Sequence, residues 1–297
     1  TVPMHPNQSN DKTVAALQSV LSAMIDPINQ LFLHSRMLRA WGHSLGMERN
    51  MEWIAKMRRT EELAVALHRH GARPASRNAR DLAIGHDAAS IFAADASQTR
   101  WFVSVVEDAA ADCRGDDQAL LSAIAAAERD DLDRLARWSS GPEASERPRN
   151  AKFLLPKPGG TEVAIAAINA VLPAMASCVS QIFHHSLIFR HLGQAALAER
   201  ELEQALVMMY RSEALLERLL DLGGTPEGRG HGNLTIGKGP SGADEAAGAT
   251  LDTLISALHA ARQPVNGIVD PTTHTLLDGI ARALGDDRAA ITARLAL

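Results

Sequence analysis

Apolar residues recur three and four positions apart along most of this chain, a spacing that predicts amphipathic α-helices. On one predicted helix, Ile54, Met57, Leu63 and Leu67 fall near a single stripe. The stretches with this pattern include residues 11–42, 47–71, 85–113, 116–138, 242–262 and 271–295. The pattern therefore predicts an all-α fold.

The two halves of the chain carry similar sequences. Residues 27–42 match residues 178–193 at six of sixteen positions, and residues 57–74 match residues 209–226 at seven of eighteen. Unrelated windows of this length share about one residue, so the repeat indicates a tandem duplication of one four-helix unit.

A stretch rich in proline, glycine and serine interrupts the helical pattern between the two copies. It covers residues 139–160. We therefore predict a first four-helix bundle over residues 1–138, a linker over 139–160 and a second bundle over 161–297.

Composition and charge exclude several classes of protein. The 297 residues include only 6 Phe, 4 Trp and 1 Tyr, which disfavours a β-sandwich or β-barrel. The net charge of −5 gives no general attraction to nucleic acid or to an anionic membrane. One cysteine in each half, Cys113 and Cys178, cannot form a disulfide framework, and residues 1–12 are too polar for a signal peptide. We expect a cytoplasmic protein that binds no nucleic acid.

One apolar stretch, residues 164–183, is long enough to resemble a membrane span. Polar residues and a proline interrupt it at Asn169, Pro173, Ser177, Ser180 and Gln181. Because such groups are costly in lipid, we expect a buried helix of a soluble core and no membrane span.

The start of each repeat has a distinctive sequence. In the first half the characteristic segments are Pro27-Ile28-Asn29-Gln30-Leu31-Phe32-Leu33-His34-Ser35-Arg36-Met37, Trp41-Gly42, Gly71-Ala72-Arg73-Pro74 and Leu82-Ala83-Ile84-Gly85. This pattern resembles bacterioferritin, and the second half repeats it more faintly. The resemblance covers most of residues 15–138 and 165–297. It implies two ferritin-like bundles of up-down-down-up topology, paired as an internal pseudo-dimer.

The resemblance also implies two kinds of metal site, of which the di-iron ferroxidase centre lacks its ligands here. The family builds that centre from carboxylates and Glu-x-x-His pairs. The matching positions are Met24, Lys56, Arg59, Thr99, Glu128 and Asp131 in the first half, and Met175, Met208, Arg211, Leu251, Leu284 and Asp287 in the second. We therefore expect no di-iron centre and no enzymatic activity.

Charged residues at these positions are expected to neutralise one another inside the bundles, because an unpaired buried charge is costly. The pairs expected from the register are Arg59 with Asp131, Lys56 with Glu128, and Arg211 with Asp287.

The second family site is a b-type haem between paired subunits, with its iron bound by one methionine from each. The matching positions are Met57 and Met209, and both are methionine. Two neutral thioethers would fill both axial positions, so one haem b would lie between the two bundles of a single chain. The expected wall of the haem site comprises Ile25, Ile28, Asn29, Phe32, Ile54, Val179, Ser180, Phe183 and Leu206.

The repeated methionines and histidines also have simpler structural interpretations. Methionine on a helix stripe is normally core packing, and the repeated pair Met24 and Met175 shows that duplication alone conserves methionine. His34 and His185 lack the ligands that would complete a metal geometry and are expected at a bundle edge or the surface. A residual metal oxidase lacks the intact ligand motifs that it needs.

The expected function is electron transfer or haem holding, with a redox protein as partner. The alternative is a cofactor-free pseudo-ferritin that acts as a structural or interaction subunit, with a true bacterioferritin as one partner. No counterpart of the family's short fifth helix is evident, so a monomeric pseudo-dimer or a small homo-oligomer is expected rather than a cage.

Overall fold

Helices account for the regular structure throughout the described part of the chain. The computed structural model describes residues 6–74, 80–149, 161–229, 239–265 and 270–296. Within these ranges no residue belongs to a strand, which confirms the predicted all-α class. The helices are α1 Pro6–Ala23, α2 Ile25–Ala40, α3 Gly46–Arg69, α4 Ala88–Ala111, α5 Gly115–Ser140, α6 Glu162–His191, α7 Ala195–Asp221, α8 Gly239–Arg262 and α9 Pro271–Leu295, with a short 3-10 helix at Pro142–Ser145.

The described residues form two compact units. The first unit comprises residues within Thr1–Leu38, Ser44–Arg77 and Ala83–Arg147, and the second comprises residues within Arg39–His43, Asn78–Leu82 and Pro148–Leu297. In the first unit, α1 and α5 each contact α3 and α4. In the second unit, α6 and α9 each contact α7 and α8. Among the described residues, α1, α3, α4 and α5 of the first unit and α6 to α9 of the second thus show the same pattern of packing contacts.

The pattern of buried positions recurs between the units. Eight of the nine buried positions of α3 fall on buried positions of α7 when the numbering is shifted by 152 residues. The same shift superimposes seven buried positions of α4 on α8, and a shift of 156 superimposes six of α5 on α9. The third and fourth helices therefore repeat in burial although their sequences diverge.

Local signals explain where several helices begin and end. Asp87 accepts a hydrogen bond from the backbone N–H of Ser90, forming a capping box before α4. The Asp270 side chain caps α9 by accepting from the backbone N–H of Thr273, and Pro271 occupies the first turn, where a missing N–H costs nothing. Gly71 ends α3 with a φ of 68°, a conformation that glycine adopts without strain.

The first part of the predicted linker belongs to the helical structure. Helix α5 continues to Ser140, and the 3-10 helix follows directly at Pro142–Ser145. The serines at 139 and 140 are compatible with a helix end because their hydroxyls donate to backbone carbonyls one turn earlier. Residues 150–160 of the predicted linker lie outside the described residues.

Helix α6 is long and apolar enough to cross a membrane by length and composition alone, with a mean hydropathy of 1.9 over its most apolar window. Core helices of soluble proteins meet the same criterion. Its Met175 and Cys178 are fully buried in the structure.

Candidate haem face and buried ion-pair network

The core of the first unit contains a network of buried charges centred on Arg49 of α3. Its guanidinium donates to Asp131 of α5 over 2.7 Å and to Asp95 of α4 over 2.8 Å. Burial alone would lower the pKa of Arg49, but the two carboxylates outweigh it and raise that pKa. Likewise, burial would raise the pKa of Asp95, whereas His34 and Arg49 hold it well below its usual range. Ion pairs through Arg49 thus connect α3 with both α4 and α5.

Three further basic residues, Lys56 and Arg59 of α3 and Arg134 of α5, extend this network. Lys56 forms an ion pair with Glu128, and Arg59 donates to Glu128 over 2.8 Å and to Glu52 over 3.0 Å. Arg134 donates to Glu52 over 2.7 Å. Lys56 and Glu128 are at most 1 % exposed, so this pair is desolvated, whereas Arg59, Glu52 and Arg134 are partly exposed.

His34 anchors the segment before α4 to the network. Its Nδ1 lies 2.6 Å from Asp95 Oδ1, and its Nε2 accepts a hydrogen bond from the backbone N–H of Gly85 over 3.2 Å. Gln30, one turn earlier, donates to Asp95 and accepts from Ala83. A side chain on Gly85 would meet the backbone of Ile91 at 2.3 Å, so only glycine fits there.

These contacts test the expected ion pairs of the first unit. The pairing of Lys56 with Glu128 is confirmed. The pairing of Arg59 with Asp131 is wrong, because Arg49 already occupies Asp131 and leaves Arg59 to Glu128. The sequence interpretation did not include Arg49, although its spacing of four residues from Trp53 and seven from Lys56 places it on the same helix face.

The expected surface or edge placement of His34 and His185 is also wrong. His34 and His185 are at most 1 % exposed, and His184 is buried as well. Asp95 supplies the carboxylate partner of His34 from a different helix. That partner could not be recognised by spacing along the chain, because it lies 61 residues away.

The second unit replaces part of this network with apolar side chains. At the shifted positions of Lys56 and Glu128 stand Met208 and Leu284, both fully buried. The expected pair of Arg211 with Asp287 is confirmed at 2.6 Å, and both side chains are partly exposed.

Glu201 occupies the shifted position of Arg49 and reverses its charge. It accepts from Arg200 over 2.8 Å, and Asp244, which pairs with Arg294, is its acidic neighbour. Burial raises the pKa of Glu201, Arg200 opposes the change and Asp244 adds to it. Across the described ranges of both units, no group of three His, Cys, Asp or Glu side chains is placed to hold a metal ion.

The two repeated methionine pairs lie in different environments. Met24 and Met175 are fully buried in the cores. Met57 and Met209 are half-buried, so each faces partly outward from its own unit. A thioether that faces outward is accessible to a ligand, whereas one in the core is committed to packing.

Most of the expected wall shares this partial exposure. Ile28, Asn29, Phe32, Ile54, Val179 and Ser180 are half-buried, Leu206 is 41 % exposed, and Ile25 and Phe183 are buried with 5 % and 7 % exposure. Ile25 and Phe183 thus support the wall from inside rather than forming its surface.

Phe32 has a cationic neighbour that the sequence interpretation did not include. The guanidinium of Arg36 lies 4.6 Å from the ring centroid of Phe32 and 4.6 Å from that of Trp53. Arg36 also donates to Asn50. The cation is therefore close enough to both rings for a cation–π interaction.

A small pocket opens beside the charged network of the first unit. Its volume is about 220 Å³. The lining residues are Glu48, Arg49, Met51, Glu52, Arg134 and Trp138. Solvent therefore has an approach to the edge of the network, on residues other than the expected haem face.

Comparison with known proteins adds no assignment. No protein-family model matches this chain, and a search of curated proteins returns no match.

Proposed function

We propose that the chain consists of two tandem ferritin-like four-helix bundles related to bacterioferritin and arranged as an internal pseudo-dimer. The recurring burial pattern of α3 and α7, of α4 and α8, and of α5 and α9 supports a duplicated unit. The residue matches at the start of each repeat support the family.

We propose further that the protein binds one haem b through Met57 and Met209, for electron transfer or haem holding. The observation that carries this proposal is the different burial of the two repeated methionine pairs. If the repeat conserved methionine only for packing, Met57 and Met209 would be expected in the core, as Met24 and Met175 are.

The residues around each thioether fit a porphyrin. Ile28, Phe32 and Ile54 offer a partly exposed apolar surface on the first unit, and Val179 and Leu206 do so on the second. Thioether sulfur binds iron without losing a proton. The two methionine ligands would therefore introduce no charged side chain into the site.

The chain's own residues would perform three tasks toward the cofactor. The sulfurs of Met57 and Met209 would hold the iron, the apolar wall would exclude water, and Arg58 and Tyr210, both exposed beside the ligands, would meet propionates at the rim. The bound haem would supply a one-electron redox couple. Because both thioethers would be committed to holding the iron, direct chemistry on a substrate would be disfavoured.

A cofactor-free interaction subunit is the second candidate. The observation that favours it is a group of exposed apolar side chains on α7: Leu206 and Val207 at 41 % and Tyr210 at 67 %. Such residues are found at protein interfaces as well as at ligand sites. In this case a partner, such as a true bacterioferritin, would cover α7 instead of haem.

Visible absorption separates the two candidates. The chain is produced with adequate haem supply, purified, and titrated with haemin. Saturation at one haem per chain is expected if both methionines serve one iron, whereas the absence of a haem band would leave the interaction subunit. A stoichiometry of two would show that each unit binds haem separately and would contradict the shared site.

A further inference from the structure

Two methionines of the first unit are exposed to solvent on one face of α3. Met47 is 59 % exposed and Met51 is 55 % exposed. They lie four residues apart, so they are neighbours on the same side of the helix. The other methionines in the described part of the chain are half-buried or buried. A thioether that solvent reaches is open to oxidation, whereas a buried one is protected.

The second unit shows that the fold accepts polar groups at both positions. A shift of 152 residues places Glu199 and Glu203 at the positions of Met47 and Met51. Both glutamates are exposed, as the methionines are. Oxidation converts a thioether into a polar sulfoxide. A sulfoxide at either position is therefore compatible with the helix.

Met51, unlike Met47, lines the small pocket beside the charged network, together with Arg134 of α5. The guanidinium of Arg134 donates through Nη2 to Glu52 and Asp131, but its Nε has no hydrogen-bond partner. Thioether sulfur is a weak acceptor, whereas a sulfoxide carries a polar oxygen. Oxidation of Met51 would thus bring an acceptor into a pocket whose cation has an unused donor.

We propose that Met51 is an oxidation site for hydrogen peroxide and that its sulfoxide accepts a hydrogen bond from Arg134. The thioether sulfur attacks one peroxide oxygen, an S–O bond forms and the O–O bond breaks. The proton of the transferred hydroxyl goes to the departing oxygen, which leaves as water. The sulfur is oxidised by two electrons and the peroxide is reduced by two. The modified side chain then links α3 to α5, and this site is independent of the proposed haem.

The test is limited peroxide treatment of the full chain and of its Met47→Leu and Met51→Leu variants, with no haem added. Peptide mass spectrometry measures the conversion of each methionine, and we expect Met47 and Met51 to react at least about tenfold faster than the buried methionines. Thermal unfolding measures the effect on stability. The change in melting temperature on oxidation is expected to be at least about 2 °C more positive for Met47→Leu, which keeps Met51, than for Met51→Leu. Slow conversion of Met51, or equal temperature changes in the two variants, would overturn the proposal.

The comparison of the two variants is matched, because both keep every other methionine and oxidation elsewhere is common to them. Adding Arg134→Met to Met47→Leu removes the proposed donor, while the two carboxylates that it pairs with keep Arg49 and Arg59 as partners. The advantage of Met47→Leu over Met51→Leu is then expected to disappear. An advantage of the same size without Arg134 would show that the sulfoxide does not accept from this guanidinium and would contradict the proposal.

Discussion

The two units bury the same helix positions but fill them with opposite chemistry. In the first unit these positions hold Arg49, Lys56, Asp95 and Glu128, which pair with one another or with neighbouring charges. In the second unit the corresponding residues are Glu201, Met208, Ala247 and Leu284, all buried. The fold therefore specifies which positions are inside, and leaves open whether they are charged.

The difference teaches that the charged core is not required by the helical plan. A buried ion pair pays a desolvation cost that its attraction only partly offsets, so an apolar core of the same shape is an equal alternative. Once one charge is present, however, its partners become obligatory. Single changes in the network of the first unit are therefore expected to cost more stability than changes at the apolar positions Met208 and Leu284 would cost through lost charge pairing.

Tryptophan fluorescence can follow the first unit separately. Trp53, Trp101 and Trp138 belong to the first unit, and Trp41 belongs to the second. In a Trp41→Phe background, fluorescence reports the first unit alone, whereas far-UV circular dichroism reports both. This pair of measurements therefore separates the stability of the first unit from that of the whole chain.

The largest expected effect is that of Arg49→Met. The substitution leaves Asp95 and Asp131 buried without their shared cation, which is expected to lower the free energy of unfolding of the first unit by about 3–5 kcal/mol. Urea unfolding followed by fluorescence measures the loss. Arg58→Met, an exposed change on the same helix, is the control. If both variants lost equally little stability, the charged network would not hold the first unit together.

The second prediction converts part of one core into the other. Lys56→Met alone is expected to cost about 3 kcal/mol because Glu128 loses its nearest cation. The double variant Lys56→Met/Glu128→Leu reproduces the Met208 and Leu284 of the second unit and is expected to recover most of that loss. Two losses that simply add, measured by the same urea unfolding, would show that the cores are not interchangeable.

The third prediction separates the units by pH. The folded pKa values of Asp95 and Asp131 lie below their usual values, so their contribution is present above about pH 4 and is lost as the pH falls further. The folded pKa of Glu201 is raised, so the second unit gains stability as the pH falls through that value toward about 4. Acid titration is expected to unfold the first unit before the second. A fluorescence transition at lower pH than the remaining dichroism change would reverse the comparison.

The smallest expected effect is that of Arg211→Met in the second unit. Arg211 and Asp287 are 19 % and 30 % exposed, so their ion pair is solvent-screened and worth about 0.2–1 kcal/mol. Circular dichroism during urea unfolding measures it, with Arg288→Met, at another partly exposed pair, as the control. A loss as large as that of Arg49→Met would mean that the second unit also depends on internal charge.

Local patterns in the sequence predicted the helices but only part of the network. The spacing of apolar residues predicted α3 and α5, and the positions that match the di-iron ligands of bacterioferritin placed Lys56 opposite Glu128. The partner of Asp131 could not be derived in this way, because Arg49 and Arg59 lie on the same helix and only the packing decides which one reaches the carboxylate. The burial of His34 could not be predicted for the same reason, because its partner Asp95 lies on a different helix, α4.

At the proposed haem face too, the sequence predicted the positions of the residues, but their burial depends on tertiary packing. Register placed Met57 and Met209 at matching positions, and their partial exposure distinguishes them from Met24 and Met175 only in the folded structure. The burial of Ile25 and Phe183 likewise depends on neighbouring helices and was not evident from helix spacing.

The most direct test of the haem proposal is the visible absorption spectrum of the haemin-titrated protein and of four single variants. Met57→Leu and Met209→Leu remove the proposed ligands, and Met24→Leu and Met175→Leu remove the buried pair. We predict one haem per chain, with a changed iron spectrum in each of the first two variants and an unchanged spectrum in the other two. A spectrum unaffected by Met57→Leu and Met209→Leu, or the absence of any haem band, would contradict the proposal.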